Sequence, residues 1–201
     1  MWFQFFPYPA LIGMTILAIL LPIVWRKKRN LFYLVCFSVF WIYLLGVVSM
    51  TLIPFPRPLT GELRTPVSQI LSRVNLIPFN FGGLFDLHPN IAILELGGNI
   101  LLTVPFGFMI PFLIQAKGRQ IPWLALAVGL STELSQLAAC LILGTNYRSV
   151  DINDVLLNAL GAFIGYGLLR GLAWLSNLLI LHIQPQRKKT FVTNHKTIRR
   201  Q

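Results

Sequence analysis

The chain has 201 residues, 55% of them hydrophobic and 11% charged, with a mean hydropathy of +0.69 and a formal net charge of +11. Soluble domains carry about 25% charged residues, so the composition excludes an ordinary soluble domain and fits one integral membrane domain. The positive charge does not point to nucleic acid: the basic residues form no patch interleaved with aromatics but cluster beside apolar runs, as topology determinants do.

A membrane-spanning helix needs about 20 apolar residues, and five segments of this chain qualify. The first lies near Pro9 to Trp25. No basic stretch precedes it and Arg26-Lys27-Lys28-Arg29 follows it, which predicts a retained anchor with its N-terminus outside rather than a cleaved signal peptide. The second runs from Leu31 to Ile53. A long outer connection, 54–90, comes next. Pro54, Pro56, Pro58 and Gly61 make its first part turn-like and break the second helix. Its second part, Asn75 to Phe85, is too short to span and too apolar for a free loop. It is expected either to lie at the interface as an anchor or to re-enter the bundle, where protein covers its backbone. The third span runs from Ile91 to Ile114, with Pro105 predicted to kink it. The fourth lies near Ile121 to Leu143. The fifth runs from Ile152 to about Leu175, or on toward Leu181.

These spans predict an all-α polytopic transmembrane bundle over residues 1–183, followed by a basic tail at 184–201. With the N-terminus outside, thirteen Lys and Arg residues fall on the cytoplasmic side. They are the 26–29 cluster, Lys117, Arg119, Arg170 and, in the tail, Arg187, Lys188, Lys189, Lys196, Arg199 and Arg200. Only Arg57, Arg64, Arg73 and Arg148 remain outside. That bias predicts an N-out, C-in topology, with the tail solvated or lying on the lipid surface.

The acids carry the functional signal. There are six, and Glu95, Glu133, Asp151 and Asp154 fall inside or at the mouth of apolar segments. A carboxylate in hydrocarbon is kept only where something pairs with it or uses it. Glu95 and Asn99 share a helix face, as do Glu133 and Gln136. Asp151, Asp154 and Asn158 share another face, on the last helix. At 1.5 Å per residue, Asn99 lies roughly 12 Å below the outer surface, Glu133 roughly 15–18 Å and Asn158 roughly 10 Å. The three stripes therefore converge on one pocket open to the outside. Arg148 is the expected counter-charge, able to grip a carboxylate through two parallel hydrogen bonds. A plainer reading has Ser149 or Asp151 capping the last helix and Asp154 favouring its first turn. The plainer reading of Glu133 is a buried acid bonded to Gln136, Asn99 or Asn158.

The pairs Gly161/Gly165 and Gly167/Gly171 are GxxxG spacings that let helices approach closely, within the bundle or between copies in a homodimer. Cys36 and Cys140 fall at opposite depths, which predicts no disulfide. His88, His182 and His195 are scattered and no ligand spacing occurs, so neither metal nor cofactor is expected.

Four motifs occur in order. They are Asn75-Leu76-Ile77-Pro78-Phe79; Asn99-Ile100-Leu101-Leu102-Thr103-Val104-Pro105-Phe106-Gly107; Glu133 with Gln136; and Arg148-Ser149-Val150-Asp151-Ile152-Asn153-Asp154 followed by Asn158 and Gly161. In order and spacing, over about residues 45–170, the chain resembles the VanZ family. That resemblance implies a small multi-pass protein of the bacterial cytoplasmic membrane; the family's founding member is associated with low-level resistance to teicoplanin. It fixes no mechanism. Thr103 stands where the family often has a bulky apolar residue, which is expected to widen or wet the pocket near Asn99. Asn153 stands where an acid is common, which weakens any divalent-metal site.

Two classes of function follow. The first is a non-enzymatic modulator of envelope access. In it Asn75, Glu95, Asn99, Glu133, Gln136, Arg148, Asp151, Asp154 and Asn158 bind a lipid headgroup or a lipid-linked wall intermediate. The second is an enzyme on an amphiphilic substrate, with Glu133 as general acid or base and Asp151 or Asp154 as partner. A small transporter is a third reading, for which no inverted repeat is visible.

Overall fold

The computed structural model describes residues 7–28, 30–52, 64–81 and 89–198, and side chains within 10–28, 30–52, 64–81 and 90–178. Six α-helices occur among them: α1 (Pro7–Lys28), α2 (Leu31–Thr51), α3 (Val67–Leu71), α4 (Pro89–Leu113), α5 (Ile121–Leu143) and α6 (Ile152–Ile198). All but α3 are long and apolar enough to cross a membrane, so five spans are present. The helix α4 passes through both Pro105 and Pro111. The fifth span was expected to end by Leu181, whereas α6 continues to Ile198, with its apolar stretch ending at Leu178. The prolines and Gly61 expected to break α2, and residues 82–85 of the expected outer segment, lie outside the described residues. So do the tail's side chains and residues 199–201.

The bundle is built outward from α6. The pairing of α4 with α6 is the most extensive, then that of α5 with α6, while α2 packs on α4 and α1 packs on α2. The helices α4 and α6 run parallel and close, because α6 presents small residues. A side chain at Gly161 would collide with the carbonyl of Ile100, and one at Gly165 with that of Val104. The first GxxxG spacing therefore serves contact within the bundle, whereas Gly167 and Gly171 face open space. The helix α2 runs antiparallel to α4. Tyr33 donates to the Leu113 carbonyl at 3.3 Å near one end, and Tyr43 to that of Leu102 at 2.6 Å further along. Between these tethers the rings of Phe40 and Phe106 stack at 5.7 Å. They join Ile110, Ile121, Ala125, Ala159 and Ala162 in the buried core. The helix α1 is tied on by Trp41, whose indole donates to the Gly13 carbonyl at 2.9 Å. The two cysteines are free.

The α4–α6 contact yields a direct test. Gly161→Leu forces a side chain into the α4 backbone, and overpacking of this kind costs about 1–3 kcal/mol or prevents folding. A detergent-solubilised thermal melt should show a clear loss for Gly161→Leu and none for Gly167→Leu. Equal melting of the two variants would contradict the packing described.

Candidate functional site

The site is built around the start of α6. The helix α5 ends at Gly144, whose φ of 65° closes the last turn with its N–H on the Cys140 carbonyl. Arg64 and Thr65 fasten this end: Arg64 donates to the Leu141 carbonyl at 2.7 Å and the Thr65 N–H to that of Gly144 at 2.9 Å. The chain then turns back along α5 instead of leaving the bundle. It descends until the Asp151 N–H donates to Oε2 of Glu133 at 3.0 Å. Glu133 is ten residues before Leu143, a drop of about 15 Å along the helix. The first N–H groups of α6 are thus buried in protein and need partners there.

Those partners come from three segments. Asp151 caps α6, its Oδ1 accepting the Asn153 N–H at 2.8 Å. Ser149 does not cap; its hydroxyl donates to the Arg73 carbonyl at 3.2 Å. In a capping box, a Glu three residues into the same helix accepts the N-cap N–H. Here a neighbouring helix supplies it as Glu133, which is 3% exposed. The residue three along, Asp154, turns instead to α4, where Asn99 Nδ2 donates to it at 2.6 Å. Three carboxylates thus surround the positive end of α6, where the helix dipole favours them.

The third partner is the segment from Asn75 to Asn80. Its backbone makes an isolated parallel bridge with Asp151. The Asn75 N–H donates to the Val150 carbonyl and the Ile152 N–H to that of Asn75, both at 2.9 Å. The Asn75 amide also donates to both Asp151 carboxylate oxygens, at 3.0 and 3.1 Å. Asn153 completes the dock from both sides of its amide. Its oxygen accepts the Phe79 N–H at 2.6 Å and its nitrogen donates to the Asn80 carbonyl at 2.9 Å. An ionised carboxylate accepts only, so in this chain the bond to the Asn80 carbonyl depends on the amide nitrogen of Asn153. The bond holds Phe79 at a φ of 62°, a left-handed conformation costing a bulky residue about 1–3 kcal/mol. The backbone of this segment enters the bundle, while Leu76, Ile77 and Phe79 remain exposed.

Above this layer lies a cavity of ≈ 810 Å³. It brings together Glu95, Asn99, Gln136, Arg148, Asp151 and Asp154 from three helices and a loop. The end of α2 forms one wall through Met50 and Thr51, and two of its orphan carbonyls are capped from across the bundle. Gln136 donates to Thr51 at 3.3 Å and Arg148 to Met50 at 3.2 Å. Arg148 was expected to pair with a carboxylate, but among the described residues it does not. A cation is equally at home on helix C-terminal carbonyls, which leaves the rest of its guanidinium toward the cavity. Tyr147, Ser149 and Asn153 also line the wall. Burial pushes the Tyr147 phenol above its ordinary 10, with the Cys140 thiol adding and Arg148 opposing, so it remains a neutral hydroxyl.

Three expected pocket residues sit elsewhere. Glu133 lies behind Asp151 and off the cavity wall. Asn75 lies in the docked segment. Asn158 is buried in the seam of α4, α5 and α6, its Cβ facing Gly129 and its carbonyl accepting the Thr103 hydroxyl at 2.6 Å. Thr103 was expected to widen or wet the pocket. It does not line this cavity and instead ties α4 to α6. The sequence reading missed Tyr147 and Asn153 as site residues. Only the position of Asn153 between two aspartates hinted at a role. Among the described residues, no group of three His, Cys, Asp or Glu is placed to hold a metal ion.

A family model described as VanZ/LLP1 matches residues 40–176, which include every described residue that lines the cavity. No curated protein and no solved structure matches the chain.

The amide requirement at position 153 is testable. Asn153→Asp should loosen the 75–80 dock at neutral pH, seen as faster modification of a cysteine introduced at Ile77. Acidification should restore it, because a protonated carboxyl can again donate to the Asn80 carbonyl. Leaving that carbonyl unmatched costs about 1–3 kcal/mol. A rate that does not depend on pH in this variant would refute the two-sided role of the amide.

Proposed function

The chain belongs to the VanZ/LLP1 family, and on that premise we propose that it is a non-enzymatic modulator of envelope access, binding a lipid headgroup or a lipid-linked wall intermediate in the cavity. The reading sets the N-terminus outside, so that the cavity opens on the outer face of a bacterial cytoplasmic membrane. Occupancy there would alter how a membrane-active, teicoplanin-type antibiotic accumulates. The observation that carries it is the composition of the cavity, which Arg148, Glu95 and Asp154 line together with the amides of Asn99 and Gln136. Such a wall offers donors and acceptors to a polar, charged group. Contact between copies, where it occurs, is assigned to Gly167 and Gly171, which face open space.

The enzyme reading needs Glu133 at the reacting atoms. Its position behind Asp151, with Oε2 engaged by a backbone N–H, supports a bracing role instead. The two readings diverge for Glu133→Gln, because a neutral amide oxygen still accepts the Asp151 N–H but cannot exchange a proton.

The test is the inhibitory concentration of teicoplanin, beside that of vancomycin, in a susceptible Gram-positive host expressing the full chain. The wild type should raise the teicoplanin value selectively. Arg148→Ala should abolish the rise at matched membrane levels, whereas Glu133→Gln should keep it. A rise that survives Arg148→Ala would remove the cavity from the function. A rise lost in Glu133→Gln at full stability would revive the enzyme.

A further inference from the structure

A second cavity, of ≈ 200 Å³, lies beside the first, and Thr51 walls both. It is a slot with Val47 and Val48 of α2 on one side and Val128 and Ser135 of α5 on the other, floored by Phe106 of α4. It exists because α2 packs on α1 and α4 and makes no comparable packing against α5. The two helices stand apart, and the slot between them opens sideways.

The slot contains several hydroxyls, yet none has a proton to spare. Ser131 and Thr132 donate to the Val128 carbonyl at 2.8 and 3.0 Å, and Ser135 to that of Ser131 at 2.6 Å. Thr51 donates to Val47 at 2.8 Å and Tyr43 to Leu102 at 2.6 Å. A hydroxyl carries one proton. Bonded back to helix carbonyls in this way, it presents to the slot only its carbon and the remainder of its oxygen. The slot therefore suits a chain without polar groups, and the cavity on the other side of Thr51 suits a charged head.

We propose that the bundle holds one glycerophospholipid across these adjoining cavities, with its zwitterionic headgroup in the polar cavity, one acyl chain in the slot between α2 and α5, and the lipid passing Thr51 between them. This rests on the headgroup reading above and narrows it. Arg148 is the only Lys or Arg among the described residues lining the cavity, and Glu95, Asp151 and Asp154 are there with it. Asp151 is held by Asn75 and the Asn153 N–H, and Asp154 by Asn99. Glu95 is exposed on the wall and free to meet an ammonium. One phosphate on Arg148 and one ammonium on Glu95 would pair the two charges that the fold leaves for a ligand, while Asp151 and Asp154 stay on their protein donors. The diphosphate of a lipid-linked wall intermediate would set extra negative charge against three carboxylates, a mismatch that costs affinity. The slot adds shape rather than hydrophobic energy, because the surrounding lipid tails are equally apolar. The headgroup selects the lipid and the slot orients its chain.

The experiment reconstitutes the full chain in phosphatidylglycerol vesicles containing a trace of phosphatidylethanolamine with a diazirine midway along one acyl chain. After illumination, adducts are mapped by mass spectrometry. Slot residues should be labelled about threefold or more above Ile16 and Ile19 of α1, a contrast that can arise only from shape and anchoring. Ser131→Phe and Val48→Phe fill the slot from opposite helices and should each bring its labelling down to the α1 level. Arg148→Ala should do so too, by releasing the head. Unlabelled phosphatidylethanolamine should compete, and a polyprenyl diphosphate should not. Even labelling over all helices would overturn the slot. In that case, phosphatidylethanolamine that copurifies with the wild type but not with Arg148→Ala would leave the headgroup reading standing. Slot labelling that survives Arg148→Ala would overturn the anchored lipid and the headgroup reading with it. Competition by the diphosphate alone would overturn the zwitterion.

Discussion

The buried start of α6 is the constraint on which the rest depends. A helix that began at the surface would leave its first N–H groups to water. This one begins alongside Glu133, a turn below the carbonyls that end α2, where unpaired backbone groups are expensive. Each neighbour then has an assigned task. Glu133 takes the N-cap N–H, the Asn75 carbonyl takes that of Ile152, and the Asp151 carboxylate takes that of Asn153. The glycines of α6 follow from the same demand, since only a close α4 lets Asn99 reach Asp154 and Thr103 reach the Asn158 carbonyl.

This layer explains why there is a cavity at all. Three helices and two returning segments meet there, and α2 stops where they begin. The space that α2 does not fill is bounded by its own C-terminal carbonyls, which Arg148 and Gln136 cap at the cavity's edge. The same side chains that complete α2 therefore supply the polar wall. Among the described residues Arg148 makes one side-chain hydrogen bond, to Met50 at 3.2 Å, which leaves it better placed to meet a ligand than an arginine locked in a buried ion pair.

Much of this was legible in the sequence. Hydropathy fixed the five spans, and α5 begins and ends where the apolar run does. The periodicity of the acids and amides marked the faces that meet, because helix geometry ties spacing to direction. What periodicity cannot carry is the path of irregular chain. The descent from Gly144 to Asp151 has no pattern, so Glu133 read as a pocket acid when it is the partner of a backbone N–H. Asn153 read as a missing carboxylate because its two partners, Phe79 and Asn80, are over seventy residues away. Thr103 read as a wet position because its acceptor is a main-chain carbonyl of another helix.

The division of labour that results runs against the usual inference from intramembrane acids. Such residues mark function by default, and here they do mark the region. Yet the most buried acid braces, and the most exposed one, Glu95, is the carboxylate left to bind. Burial and bonding explain the inversion. A carboxylate deep in the bundle is tolerated where protein donors meet it, and Glu133, its Oε2 taken by the Asp151 N–H and its place off the cavity wall, is turned to the protein rather than to a ligand. In a site of this kind, the groups that act are those whose hydrogen bonds the fold leaves incomplete. Under the function proposed above, Arg148, Glu95 and the second oxygen of Asp154, which line the cavity with bonding capacity left, would form the working surface, and Glu133, Asp151 and Asn153 the frame that holds it open.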